Sequence, residues 1–132
     1  MGRKLGNKGF TLVEIMIVVA IIALLAAIAI PNLTRATVDA NNSSAQATLK
    51  MISTAMENYY AINSSYPPDT NTLLTAAPPY MSSDYFAGAH GGFTFGVDSL
   101  GSYNYSVTAY PVNTATGASS YTITTGAVLV KN

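Results

Sequence analysis

A chain of 132 residues is enough for one modest domain, and with 49% hydrophobic but only 9% charged side chains it leans toward a membrane or an assembly partner. Six basic and six acidic residues cancel, which excludes a strong overall field for nucleic acid or an acidic surface. The absence of cysteine excludes a disulfide framework and a thiolate metal site.

The charges are unevenly placed. Arg3, Lys4 and Lys8 all precede a long apolar run, so residues 1–9 read as a separate basic leader. Its removal would leave three basic against six acidic side chains, a formal charge of −3. From Phe10 to Ile30 the sequence FTLVEIMIVVAIIALLAAIAI is apolar and, as a helix, would reach about 30 Å, enough to cross a bilayer core. Basic residues before it and a polar remainder after it predict a cytoplasmic N-terminus and an exported C-terminal part. The run exceeds the roughly 7–15 residues of a secretory signal core, which leaves a signal removed near Ile30 as the weaker alternative.

Glu14 stands inside this run, where a carboxylate costs about 2.5–3.5 kcal/mol near the bilayer centre and less near its edge. Such a cost calls for a partner. The alternatives are the amino end one helical turn earlier, the helix dipole, a neighbouring chain's amino group, or snorkelling to the head groups. Pro31 closes the run; lacking a backbone donor, it is expected to kink or interrupt the helix.

Beyond it, Leu33 to about Ile62 carries a stripe at Val38, Ala45, Leu49, Ile52, Met56 and Tyr59, spaced as one face of an amphipathic helix that continues the first. Arg35 and Asp39, four apart, could pair on its surface for a few tenths of a kcal/mol or stand solvated. Asn63 to about Gly92, with Pro67, Pro68, Pro78 and Pro79, reads as a connecting loop holding a helical turn at Thr72–Leu74. Alternation then predicts four strands: Phe93–Val97, Tyr103–Ala109, Tyr121–Thr125 and Val128–Val130, with turns at Gly101, Asn113–Ser120 and Gly126. The expected fold is α+β: a long N-terminal helix, half apolar and half amphipathic, packed against a small C-terminal antiparallel sheet. The chain divides into a leader (1–9), a transmembrane or filament-core helix (10–31) and a head (32–132).

The ordered set Lys8-Gly9, Phe10-Thr11-Leu12-Val13-Glu14 and the apolar run to Pro31 resembles the N-terminal signature of type IV prepilins and of the related type II secretion pseudopilins. The likeness covers about the first quarter of the chain. It implies that a membrane-embedded prepilin peptidase cuts between Gly9 and Phe10 and methylates the new amino group of Phe10. Glycine at the cut lets an extended backbone approach a protease closely. The resemblance further implies that Glu14 sets the register of an incoming copy and that the stretch at Pro31 can lose helical order in a filament. The implied partners are copies of the chain itself, the peptidase, an inner-membrane assembly platform and, before assembly, the membrane. The implied localisation is a single-pass precursor in the cytoplasmic membrane, then an extracellular pilus or a periplasmic pseudopilus.

Other chemistries find little support. His90 is the only histidine and has no acid-base or nucleophile motif around it, so neither an enzyme nor zinc is expected. No phosphate-cradling Gly-Lys-Ser motif occurs. Major pseudopilins typically carry a calcium site in their C-terminal loops, yet Asp98 is the last acidic side chain, so no metal is expected and the reading moves toward a pilin. Nine tyrosines could suggest base stacking or electron transfer. Tyr59, Tyr103, Tyr105 and Tyr121 instead fall at core spacing, and with only Arg35, Lys50 and Lys131 basic beyond the leader, neither nucleic acid nor a cofactor is expected. The expected function is a structural filament subunit; the alternatives are a pseudopilin and a membrane-anchored binding protein that never polymerises.

Overall fold

The computed structural model describes residues 9–132. They form two compact units, the first ending at Arg35 and the second running from Ala36 to Asn132. Helix α1 spans Leu12–Asn63, followed by the short α2 (Thr72–Thr75) and strands β1 (Ala89–His90), β2 (Phe93–Leu100), β3 (Tyr105–Pro111), β4 (Tyr121–Thr124) and β5 (Val128–Lys131). The α+β arrangement expected from the sequence is the one observed.

In the second unit the helix buries Ala45, Thr48, Leu49, Ile52, Ser53, Ala55 and Met56, a set spaced three and four apart as one helical face requires. Four of the six expected stripe residues are fully buried, while Val38 and Tyr59 are half-buried at its ends. Against this face lies a sheet of order β1-β2-β3-β4-β5, antiparallel throughout. Alternate residues Phe93, Phe95, Tyr105, Val107, Ala109, Tyr121 and Ile123 point into the core. Tyr66, Leu73 and Met81 from the connecting segment complete it. The Leu73 carbonyl accepts the N–H groups of Tyr80 and Met81 at 2.9 and 3.1 Å, which folds the proline-rich segment back on α2.

Three expectations about the sheet need correction. A fifth strand, β1, lies within the stretch expected to be loop; two residues are too few to show alternation. β3 begins at Tyr105, because the Gly101 N–H bonds the Asn104 carbonyl at 2.8 Å and makes residues 101–104 a turn. Tyr103 is therefore 75% exposed and outside the core. Val97 stays in register opposite the buried Val107, just before a bulge that shifts the pairing by Ser99, yet it is 37% exposed, where simple alternation places it in the core.

The β3–β4 connection closes tightly over the core at Gly117, where a Cβ would collide with the Phe93 ring and Pro111. Asn113 shapes that loop, its Oδ1 accepting the Ala115 and Thr116 N–H groups at 2.9 and 3.0 Å.

Candidate functional site

Gly9 and Phe10 lie outside the helix and are exposed, Phe10 to 86%. A Cβ added at Gly9 would meet nothing within 4 Å. Thr11 and Glu14 then start α1 as a capping box. The Glu14 Oε2 accepts the Thr11 N–H at 2.7 Å and the Thr11 hydroxyl at 2.9 Å, while the Glu14 N–H donates to Thr11 Oγ1 at 3.2 Å. This is the Thr-x-x-Glu pattern, in which each end of the first turn satisfies a donor of the other. The Thr-x-x-Glu spacing is visible in the sequence, where a carboxylate in an apolar run points first to a cation. Glu14 thus has an internal partner that none of the four sequence alternatives named.

From Leu12 to Leu33 every large apolar side chain is between 50% and 75% exposed. These residues circle the helix and so leave no polar face to turn toward water. By length and composition this is the one helix among the described residues able to cross a membrane.

Pro31 lies inside α1, which continues through it. The missing donor leaves the Ala27 carbonyl without its ordinary helical partner. One turn on, the Thr34 hydroxyl bonds back to the Ile30 carbonyl at 3.1 Å.

A second polar centre was not anticipated. Glu57, on the edge of the buried stripe, accepts the Tyr66 hydroxyl at 3.1 and 3.2 Å, the Tyr105 hydroxyl at 3.2 Å and the Gly126 N–H at 3.0 Å. Tyr105 also meets Ser53 Oγ at 2.7 Å. Burial, then the hydrogen bond and charge of Glu57, push the Tyr66 phenol up to about 12. Burial is also the main cause of the upward shift of Tyr105. The centre fastens helix, connecting segment and the β4–β5 turn to one carboxylate. Its signal in the sequence is faint: a serine and a glutamate four apart, both bordering apolar stripe positions.

Asp98 sits at the β2 bulge, where its carboxylate accepts the hydroxyls of Thr108 and of Tyr110, the latter at 2.9 Å. That bond raises the Tyr110 phenol above its ordinary range. His90 belongs to β1; its Nε2 lies 3.2 Å from the Ala87 carbonyl and its ring meets Tyr85 edge-on.

The motif at the head of α1 and the uncovered apolar helix are shared with known proteins. Residues 4–30 match the prokaryotic N-terminal methylation motif, the prepilin-type signature, and the chain carries it. Over about half of its length the chain is similar to type IV major pilins and to a type II secretion core protein G. It is 43% identical over 67 residues to the type IV major pilin protein of Myxococcus xanthus, covering 51% of this chain and 30% of that one. It is 44% identical over 68 residues to the type IV wide pilus major component of Thermus thermophilus, covering 52% of each. To the type II secretion system core protein G of Escherichia coli it is 34% identical over 83 residues, covering 60% of this chain and 57% of that one. The chain therefore spans about half or less of the first two relatives it matches.

Proposed function

We propose that this chain is the precursor of a structural filament subunit of the type IV pilus kind. A membrane-embedded peptidase cuts between Gly9 and Phe10 and methylates the Phe10 amine, and the subunit then polymerises through residues 10–31, the head facing outward. The observation that carries the reading is the apolar helix from Leu12 to Leu33, uncovered on every side and headed by an exposed Gly9–Phe10 step. Such a helix needs a bilayer before assembly and a bundle of like helices after it. An assembly platform in the cytoplasmic membrane would receive the processed copy. The chain itself catalyses no reaction.

In the bundle Glu14 exchanges its hold on Thr11 for the Phe10 amine of a neighbouring copy, a charge-assisted contact strengthened by the dry surroundings. Pro31, with the Ala27 carbonyl freed, is the point at which the helix kinks on packing. The N-terminal mass of the protein recovered from cells tests the first step. A methylated start at Phe10 is expected, and a start at Met1 would overturn it.

The likeness to the E. coli core protein G supports a second reading, a pseudopilin whose short filament serves protein transport. Long surface filaments containing this chain favour the pilus; confinement to a periplasmic assembly favours the pseudopilus. A membrane-anchored binding protein that never polymerises would keep its assembly state when Glu14→Ala is introduced. Loss of filaments with membrane insertion intact rejects it.

A further inference from the structure

We propose that the groove between α1 and the edge strand β5 binds an extended, acidic segment of a partner protein by adding it to the sheet as a further strand. The groove lies wholly within the 36–132 unit, so the proposal stands or falls apart from the filament reading.

The sheet ends at β5, and no strand pairs beyond it among the described residues. The register shows which backbone groups that leaves open. Tyr121 stands opposite Lys131, and the Asn132 N–H donates to the Ser120 carbonyl at 2.9 Å. Bonded residues alternate along an antiparallel pair, so Val128, Val130 and Asn132 bond toward β4, while Leu129 and Lys131 turn their N–H and C=O groups outward. An edge of this kind is a template for another chain.

Beside it lies a pocket of about 360 Å³ whose walls include Lys50, Thr54, Glu57 and Asn58 of α1 and Ala127 of the β4–β5 turn. A side chain of an added strand can enter it. The Glu57 carboxylate already holds the Tyr66 and Tyr105 hydroxyls and the Gly126 N–H. The Lys50 ammonium is therefore the charge that the pocket offers an occupant.

The two sides of β5 define that occupant. Alternation puts Lys131 on the helix side with Leu129, which stands opposite the buried Ile123. Val128 and Val130 face the other way and are exposed. Lys50 and Lys131 are the only lysines or arginines in residues 36–132, against the carboxylates of Asp39, Glu57, Asp69, Asp84 and Asp98. Both cations of the unit thus border one groove. A strand that turns carboxylates toward the helix and sets β-branched side chains beside Val128 and Val130 matches both sides.

The probe is the end-blocked peptide Val-Glu-Val-Glu-Val, titrated into the isotope-labelled full-length chain in detergent micelles. Saturable amide shifts are expected at residues 127–131 and 50–58. The peptide Val-Lys-Val-Lys-Val should bind about ten-fold more weakly. Lys131→Ala removes a charge; Lys131→Pro removes the same charge and the outward N–H, a donor the sheet does not use. The proline variant should bind Val-Glu-Val-Glu-Val about five-fold more weakly than the alanine variant. An unchanged Ile52 amide shows that each head is folded. The proposal falls if no saturable shift appears, if the two peptides bind equally, or if the two Lys131 variants bind equally. It also falls if residues 127–131 shift on concentrating the chain without peptide, which would assign the edge to a second copy.

Discussion

Glu57 of α1 accepts the backbone N–H of Gly126 at 3.0 Å, so a helix side chain holds the turn between the last two strands. That turn carries two successive residues in the left-handed region, Gly126 at φ 77° and Ala127 at φ 61°; the second is costly for a residue with a Cβ. In a chain without cysteine, this bond stands where a covalent clasp could otherwise secure the last hairpin.

Glu57→Ala removes the acceptor of three donors, two of them phenols with little access to water. A loss of about 2–4 kcal/mol is expected in denaturant unfolding of the 36–132 unit. Unchanged stability would show that the carboxylate is incidental.

The same centre sets an alkaline limit. The Tyr66 phenol rises from 10 to about 12 in the folded chain, so the folded state holds its proton more tightly than the unfolded one. Its stabilising contribution is whole below pH 10 and is lost as pH climbs from 10 through 12. Unfolding experiments across that window should show stability falling, and Tyr66→Phe should flatten the fall.

Thr11→Ala deletes the hydroxyl that caps α1, at a cost of about 1 kcal/mol to its first turn. Amide exchange in detergent micelles should quicken for residues 12–15 and stay unchanged near Ile52. Equal protection in the two proteins would deny the box its role.

Two isoleucines of one helix should behave as if from different proteins. Ile52 is fully buried while Ile22 is 59% exposed. Ile52→Ala is expected to cost the head about 2–5 kcal/mol, and Ile22→Ala nothing measurable in the same head-melting assay. A loss of head stability from the Ile22 change would contradict the division into two units.

Much of this was legible in the residues, and the failures have physical causes. Spacing revealed the buried stripe at Ala45, Leu49, Ile52 and Met56 because three- and four-residue steps leave one face no alternative. The inward residues of β2 to β4 were legible by the same logic of period two. Tyr103 misled because it extends the alternation of Tyr105 and Val107 across a boundary drawn by one backbone bond, from Gly101 to Asn104. Glu57 could not be found by periodicity, since its partners Tyr66, Tyr105 and Gly126 converge only after the chain has folded. Thr11 and Glu14 are spaced as a capping box, a signal that the charge of Glu14 in an apolar run overshadows.

The bare apolar helix has one more implication, for the order of events in the cell. More than a dozen large side chains from Leu12 to Leu33 have no cover of their own. At about 25 cal/mol per Å², wetting them all would cost on the order of tens of kcal/mol, more than a folded domain's whole margin of stability. A copy adrift in the aqueous phase is therefore not a waypoint on any route to a fibre. On the filament reading proposed above, each subunit would be handed directly from lipid to its predecessors, with the growing end at the bilayer.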